Sequence, residues 1–200
     1  MPATRLAHVL AAGPALPHSD WSLGFAGLEA VLAELDRGHT EVVECGSGVS
    51  TVAIARALRT LGHGRVTSLE HDPAWAAATR RLLTAEDLGA FAKVVEAALE
   101  PNPHAEPGCG WYRTEALGEL PAECIELLLV DGPPAGEPGL ERSRYPALVE
   151  LGDRLAPAAV VILDDIGRDG ERWVLDRWEH ERPIAFDRRA AVGIAVGCVC

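Results

Sequence analysis

The segment Val42-Val-Glu-Cys-Gly-Ser-Gly-Val-Ser-Thr51 decides the fold, because it joins a short apolar run to a glycine-rich turn and then to a helical pattern. Residues Glu41–Cys45 are predicted to form a strand, and apolar residues at helical spacing follow the turn. Gly46 and Gly48 let the backbone turn tightly and approach a ligand, while the next helix presents free N–H groups. A dinucleotide-binding fingerprint would need Gly or Ala at Thr51. Taken alone, the turn is equally compatible with a plain strand-to-helix connection.

Outward from this segment, helix and strand patterns alternate from about residue 20 to the end of the sequence. This alternation predicts an α/β fold with a doubly wound, seven-stranded, mainly parallel sheet, helices on both faces and a C-terminal antiparallel hairpin. The predicted strands are Glu41–Cys45, Arg65–Leu69, Ala92–Val95, Ile125–Val130, Ala158–Leu163, Pro183–Phe186 and Val192–Val199, and residues 187–189 are the predicted turn of the hairpin.

Capping signals and breakers place the helices and loops between these strands. Helix starts are predicted at Ser19-Asp20, Asp72-Pro73 and Asp169. Leu148, Leu151 and Leu155 are assigned to one helix, and the Pro- and Gly-rich segment 101–110 is predicted to be a loop. Loops are also predicted at Trp21 and at Trp111-Tyr112, where the aromatic rings either cover an acceptor pocket or pack as small clusters.

The composition excludes several classes of partner. The 200 residues carry 18 basic and 30 acidic side chains, which gives a formal net charge of −12. This excess disfavours nucleic acid and anionic membrane, since both are bound through Lys and Arg. Five widely spaced cysteines are a poor disulfide framework, so a reducing compartment, the cytoplasm, is expected. Residues 1–19 are expected to form an N-terminal arm and residues 20–200 a single domain, and a homodimer is left open.

Acidic residues recur where the first five predicted strands end. They are Glu44, Glu70, Glu96, Asp131 and the pair Asp164-Asp165. The carboxyl ends of parallel strands lie at one edge of a sheet, and ligands bind in the crevice there. Because carboxylates are seldom buried without partners, this repeated placement predicts a ligand site.

The position of each acid indicates a different ligand group. Glu70 lies 24 positions after the first glycine of the turn, where an acid can accept hydrogen bonds from both hydroxyls of a ribose. Glu44 suits a cationic group better than a pyrophosphate, which it would repel. Carboxylates that meet in a cleft either share protons or hold a hard cation such as Mg²⁺, and this applies to Asp131, Asp164 and Asp165. The alternative is that these three are turn and helix-start residues.

These motifs together resemble the class I S-adenosylmethionine-dependent methyltransferases, and more narrowly a branch of small bacterial members. The resemblance spans about residues 20 to 182 and is carried by Val42–Thr51, Val66–Asp72, Val130–Pro134, Arg144–Leu148, Val161–Asp165 and Glu171–Trp173. It implies that S-adenosylmethionine is bound by Glu44, Gly46, Ser47, Gly48, Ser50, Glu70, His71, Glu96, Ala97 and Asp131. Within this set, it implies that Glu70 holds the ribose and that the Glu96-Ala97 turn meets the adenine edge. Asp131 would lie near the sulfonium and the acceptor, as the catalytic residue.

The resemblance extends to the metal site of the catechol O-methyltransferase type, which implies Mg²⁺ on Asp131, Asp164 and Asp165. The sequence departs from that pattern at two positions. Asp165 replaces the usual asparagine, and Pro134 stands where a lysine or histidine can act as the base. The identity of the base is left open among His18, His71 and His104.

The expected function is therefore O-methylation of a small hydroxylated molecule, assisted by a divalent metal. The alternatives are a metal-free N- or O-methyltransferase, a non-catalytic nucleotide-binding module, and an NAD-dependent dehydrogenase. The missing third glycine and Glu44 count against the dehydrogenase. Arg142 and Arg144 follow the Gly- and Pro-rich loop, and they either meet an anionic substrate or begin a solvated helix.

Overall fold

The computed structural model describes residues 5–17 and 22–199. Its helices are α1 (Arg5–Ala11), α2 (Phe25–Asp36), α3 (Val49–Leu61), α4 (Pro73–Ala85), α5 (Thr114–Leu117), α6 (Pro146–Leu151) and α7 (Asp169–Glu181). Its strands are β1 (Glu41–Cys45), β2 (Arg65–Glu70), β3 (Ala92–Glu96), β4 (Leu99–Glu100), β5 (Trp111–Tyr112), β6 (Ile125–Val130), β7 (Leu155–Leu163), β8 (Ile184–Arg189) and β9 (Ile194–Val199).

Seven of these strands form one sheet, in the order β3-β2-β1-β6-β7-β9-β8. The first five in this order are parallel, with Val43 opposite both Thr67 and Leu128. Strand β9 runs antiparallel to β7 and β8, so β8 and β9 form the C-terminal hairpin. The predicted seven-stranded, mainly parallel fold is confirmed. From β1 the chain runs outward through β2 to β3 and then returns to the other side of β1 as β6. A crevice forms where the strand order reverses in this way.

The core lies in two layers, one on each face of the sheet. Alternate residues of a strand point to opposite faces, so Leu127 and Leu129 of β6 pack with α1 to α4, while Leu128 and Val130 pack with α5 to α7. Apart from Glu126, strand β6 is apolar, as expected for a strand covered on both faces. This packing fixes the ends of β1 and β6 rigidly beside each other.

Local structure differs from the sequence prediction at several helix boundaries. Helix α6 ends at Leu151, and Leu155 begins β7, whose pairing with β6 shifts register before residue 160. The prediction of one helix that includes Leu155 was wrong, because a 3₁₀ turn at Gly152–Arg154 follows α6 and Leu155 pairs with Ile125 of β6. Asp169 is the first helical residue, and Arg168 holds the cap position without a side-chain cap. By contrast, Asp72 caps α4 through its carboxylate, as expected.

Two predicted loops are strands. Trp111 and Tyr112 form β5, which pairs with β4 and closes the confirmed loop 101–110 into a hairpin. Residues 187–189, predicted as a turn, belong to β8, and the turn falls at 190–193. Such two-residue strands and strand ends are set by partners elsewhere in the chain and leave no periodic signal. The expected cap Ser19-Asp20, Trp21 and His18 lie outside the described residues.

The described part of the N-terminal arm packs on the domain. Leu6 and Val9 of α1 are buried in the core. The guanidinium of Arg56, in α3, donates to the carbonyl oxygens of Val9, Leu10 and Pro14 and pairs with Glu86 at 2.7 Å. Within residues 5–17 and 22–199, no helix has both the length and the apolar character needed to cross a membrane.

Candidate functional site

A cleft of about 330 Å³ opens at the carboxyl edge of the sheet, above the ends of β1, β2, β6 and β7. This volume is within the range of small-molecule sites. Of the residues predicted for the site, the cleft is lined by Gly46, Ser47, Gly48, Ser50, Glu70, His71, Asp131, Asp164 and Asp165. Nine residues that were predicted from strand ends, from the glycine turn or from the family resemblance therefore lie in one cleft.

Three predicted residues do not line this cleft. Glu44 is completely buried beneath the glycine turn. Glu96 is half exposed and pairs with Arg80, and Ala97 is buried, with its N–H donating to the carbonyl oxygen of Glu70. These three belong to the frame around the cleft rather than to its wall.

The glycine turn brings the ends of β1 and β6 close together. Gly46 has φ +90°, and a Cβ at this position would lie 3.4 Å from the backbone nitrogen of Gly132. A Cβ on Gly132 would in turn lie 3.0 Å from the nitrogen of Gly46. Glycine is needed at position 46 for its left-handed backbone and at position 132 for the close approach of the two chains. Both glycines line the cleft, where the two strand ends meet without a side chain between them.

Glu70 is held by four donors of the protein. Its Oε2 accepts from the backbone N–H and the hydroxyl of Ser47, at 2.9 and 3.1 Å. Its Oε1 accepts from the N–H of Asp72 at 3.0 Å and pairs with Nδ1 of His71 at 3.1 Å. Burial acts to raise the pKa of Glu70, but these hydrogen bonds outweigh it and lower the pKa below its ordinary value. Glu70 is therefore an ionised acceptor at neutral pH.

Glu44 shapes the glycine turn from below. Its Oε2 accepts from the hydroxyls of Thr51 and Ser68, and the Thr51 hydroxyl also accepts from the N–H of Gly48. Oε1 of Glu44 is buried and has no hydrogen-bond partner in the part of the chain that the structure describes. Burial raises the pKa of Glu44 to about 7, against the lowering effect of the hydroxyls of Ser50, Ser68 and Thr51. The sequence assigned this acid to a cationic ligand group, and the structure places it behind the turn.

The other half of the cleft is an acidic cluster, defined as Asp131, Asp164 and Asp165. One carboxylate oxygen from each lies within 4.8 Å of the others. Burial raises the pKa of Asp131 well above its ordinary value, and its acidic neighbours add to the effect while Arg144 opposes it. Burial and Asp165 raise the pKa of Asp164. Parallel pairing of β6 and β7 brings these three acids together, as predicted.

Arg144 contacts the acidic cluster, and the sequence left its role open. It is 3% exposed, and it lies in the turn before α6. Its Nη2 is 3.1 Å from Oδ2 of Asp165 and 3.4 Å from Oδ1 of Asp131, and its Nη1 is 3.7 Å from Glu171. It belongs neither to a solvated helix start nor to the open surface. In the sequence, Arg144 begins one of the segments that carry the family resemblance and follows the Gly- and Pro-rich loop, but neither position carries information on burial.

The acidic cluster does not fit a divalent cation simply. Three carboxylates are the hard oxygen ligands that Mg²⁺ prefers. Mg²⁺ needs them at about 2 Å in near-octahedral geometry. Two of the three predicted ligands, Asp131 and Asp165, are already bridged by one nitrogen of Arg144. Asp165 also pairs with Arg168 at 2.8 Å. The charge that a metal would supply is partly present as arginine.

Tyr112 is a cleft residue that the β4–β5 hairpin delivers. Trp111 packs in the core, whereas Tyr112 lines the cleft while being only 1% exposed. Its hydroxyl has no hydrogen-bond partner within the described residues. A Cβ on Gly132 would lie 2.8 Å from that hydroxyl oxygen, which places the hydroxyl beside Gly132 in the cleft. Of the candidate bases, His71 lines the cleft and His104 lies exposed in the loop 101–110.

Sequence comparison assigns the chain to a family. The family described as a methyltransferase domain matches residues 43–166, a span that contains the glycine turn, Glu70 and the acidic cluster. The chain belongs to this methyltransferase family. The resemblance drawn from the motifs is thereby confirmed, and the dehydrogenase alternative is set aside. No protein of curated function matches the sequence of this methyltransferase.

Solved methyltransferases share its fold. An O-methyltransferase of Bacillus cereus, in complex with S-adenosylhomocysteine, superposes with a TM-score of 0.61 at 18% identity, over 100% of this chain and 92% of the other. A methyltransferase of Geobacter sulfurreducens gives 0.60 at 16% identity, over 90% and 80%. The O-methyltransferase TomG of Streptomyces achromogenes, in complex with S-adenosylmethionine, gives 0.56 at 15% identity, over 100% and 91%. At these sequence identities the structural likeness shows a shared fold and nothing about substrate or cofactor.

Proposed function

We propose that this methyltransferase transfers the methyl group of S-adenosylmethionine to a hydroxyl oxygen of a small molecule. The main support is that two groups of residues line the same cleft. One group is the glycine turn with Glu70, and the other is the acidic cluster with Arg144. The first group suits a nucleoside, and the second suits a polar acceptor. Solved structures with the same fold are described as O-methyltransferases, which supports oxygen as the acceptor atom.

The residues present fit S-adenosylmethionine. A ribose needs acceptors for two hydroxyls, and Glu70 is an ionised carboxylate at the wall of the cleft. Two of its four donors are side chains, Ser47 and His71, which can turn away and give their places to ribose hydroxyls. The hydroxyl of Tyr112, which has no partner among the described residues, lines the cleft together with Gly132 and offers a polar contact to the rest of the molecule.

When bound, S-adenosylmethionine supplies an electrophilic methyl group on a positively charged sulfur. The acceptor oxygen forms a bond to the methyl carbon as the carbon–sulfur bond breaks, the bonding electrons pass to sulfur, and the hydroxyl proton must leave. Asp131 is the residue we assign to that proton. Burial makes its carboxyl a stronger base than an exposed aspartate, and it lines the cleft. Arg144 holds this carboxylate in position.

The remaining assignments are proposals of the same kind. The acceptor is a small molecule, because an acidic cleft in a chain of net charge −12 repels nucleic acid and anionic membrane. Residues 20–200 form the catalytic domain, with a cytoplasmic location, and a homodimer is left open. The divalent cation at Asp131, Asp164 and Asp165 stays a prediction of the sequence, and the proposed transfer does not depend on it.

Two measurements test the proposal. Isothermal titration calorimetry with S-adenosylhomocysteine should show one site per chain, and NADH in the same cell should give no heat. A panel of small phenols and alcohols is then incubated with S-adenosylmethionine, and release of S-adenosylhomocysteine is measured by mass spectrometry. Turnover should fall at least tenfold in Asp131→Asn, as expected for loss of a general base. Binding without turnover on any acceptor would favour the non-catalytic module, and methylated amines alone would overturn the choice of oxygen.

A further inference from the structure

We propose that the guanidinium of Arg144 occupies the position that a divalent cation would take in the acidic cluster, so that this protein binds no metal there. The inference deepens the proposed function, since it names the cation that serves the acceptor end of the cleft. Its evidence is the contact geometry of the cluster.

The first observation is that a single nitrogen bridges two of the three acids. Nη2 of Arg144 lies 3.1 Å from Asp165 and 3.4 Å from Asp131, two residues that follow neighbouring strands. A bound divalent cation would neutralise these two carboxylates by contacting both of them. In this protein the guanidinium of Arg144 already contacts both. A metal ion at that point would be repelled by the guanidinium of Arg144, because the two positive charges would lie close together in a buried region with little water.

The second observation is that Arg144 cannot swing away to admit a metal. Its Nε donates to the carbonyl oxygen of Pro133 at 3.2 Å, its Nη1 to that of Asp164 at 3.2 Å, and its Nη2 to that of Asp131 at 2.9 Å. The neighbouring Ser143 hydroxyl fixes the same turn through the carbonyl oxygen of Pro134, at 2.7 Å. Moving the guanidinium would leave three carbonyl oxygens without these donors in a buried region, which is unfavourable.

The third observation is that Arg168 strengthens this arrangement. It pairs with Asp165 at 2.8 Å and with the buried Glu171 at 3.4 Å. Asp165 therefore contacts two guanidinium groups, and its carboxylate must lose both contacts or share them before it can bind a metal at about 2 Å. Arg168 is itself 43% exposed, which makes it a useful control.

The arrangement has a consequence for the acceptor. A metal binds two oxygens of an acceptor at once and so favours adjacent hydroxyls, as in a catechol. A guanidinium whose donors are held by the protein makes no such demand. An acceptor with a single hydroxyl is then sufficient, since Asp131 and Asp164 both line the cleft that would receive it.

The direct test is a titration of the wild-type protein with Mn²⁺, followed by electron paramagnetic resonance of the free ion, with and without S-adenosylhomocysteine. The expected result is that all added Mn²⁺ remains free at millimolar concentration. One bound Mn²⁺ per chain, lost in Asp165→Asn, would overturn the proposal. This readout needs no turnover, so it fails separately from the proposed function, whose own test is the binding of S-adenosylhomocysteine.

A second measurement asks whether Arg144 is the reason. In Arg144→Met the cluster loses its bridge, and a folded variant should bind one Mn²⁺ per chain. The matched control Arg168→Met removes an arginine from the same carboxylate and keeps the bridge, so it should bind none. A folded Arg144→Met that leaves Mn²⁺ free would contradict the inference. If this variant does not fold, the wild-type titration still decides the question.

Discussion

Replacing Glu44 with glutamine should remove one pH-dependent component of the free energy of unfolding. Glu44 is fully buried, and burial raises its pKa to about 7 from an ordinary value of 4.5. Glutamine has nearly the same shape and keeps an oxygen to accept from Thr51 and Ser68. Its NH₂ would lie on the side where Oε1 of Glu44 has no partner among residues 5–17 and 22–199. The substitution therefore removes the charge with little change in packing.

The sign follows from where the proton is held. Between pH 4.5 and 7 the folded protein keeps the Glu44 proton while the unfolded chain has released it, so stability falls as pH rises through this window. The difference between the two pKa values corresponds to about 3 kcal/mol. Most of this is lost between pH 5 and pH 8. The Glu44→Gln variant has no such component, so its stability relative to wild type should increase by about 2 to 3 kcal/mol over that range.

Urea unfolding, followed by tryptophan fluorescence at about pH 5, 6, 7 and 8, measures this difference. These pH values span the pKa of Glu44 in the folded protein. Comparing wild type and variant at each pH cancels the other acids that titrate in both proteins, and it cancels any pH-independent cost of the amide. Glu123→Gln, at an exposed position, is the control and should give parallel curves. Parallel curves for Glu44→Gln would refute the reasoning, because they would show that Glu44 is ionised in the folded protein without penalty.

Three further predictions concern the cleft. Glu70→Gln should weaken S-adenosylhomocysteine binding in calorimetry by about 10- to 100-fold, since hydrogen bonds to a charged group are lost. The control Glu123→Gln, at an exposed position that does not line the cleft, should leave binding unchanged, and equal losses in the two variants would contradict the assignment. Gly132→Ala places a methyl group 2.8 Å from the Tyr112 hydroxyl and 3.0 Å from the nitrogen of Gly46, so it should cost about 1 to 3 kcal/mol in urea unfolding, while Gly167→Ala, with no atom within 4 Å, should be close to neutral. Tyr112→Phe removes a buried hydroxyl without a partner and should raise the free energy of unfolding by about 1 kcal/mol; a loss of stability would show that the hydroxyl is bonded.

The sequence by itself determined the fold and most of the cleft. Alternating helix and strand patterns imply a parallel sheet, and the carboxyl ends of parallel strands must share an edge. Knowing where β1, β2, β6 and β7 end was therefore enough to bring Gly46, Glu70 and Asp131 together, although they are far apart along the chain. These inferences needed only local periodicity and one rule of topology.

Tertiary structure alone decided which charges meet and which are buried. Arg144 and Arg142 look alike in sequence, yet one is clamped between acids and the other stacks on the ring of Trp173 at the surface. Tyr112 reached the cleft through a two-residue strand, and Glu44 turned out to lie beneath the turn instead of facing a ligand. The reason is physical. Burial and ion pairing depend on distances between residues remote in sequence, whereas helix and strand patterns depend on near neighbours, so only the folded chain shows that the acidic cluster contains its own cation.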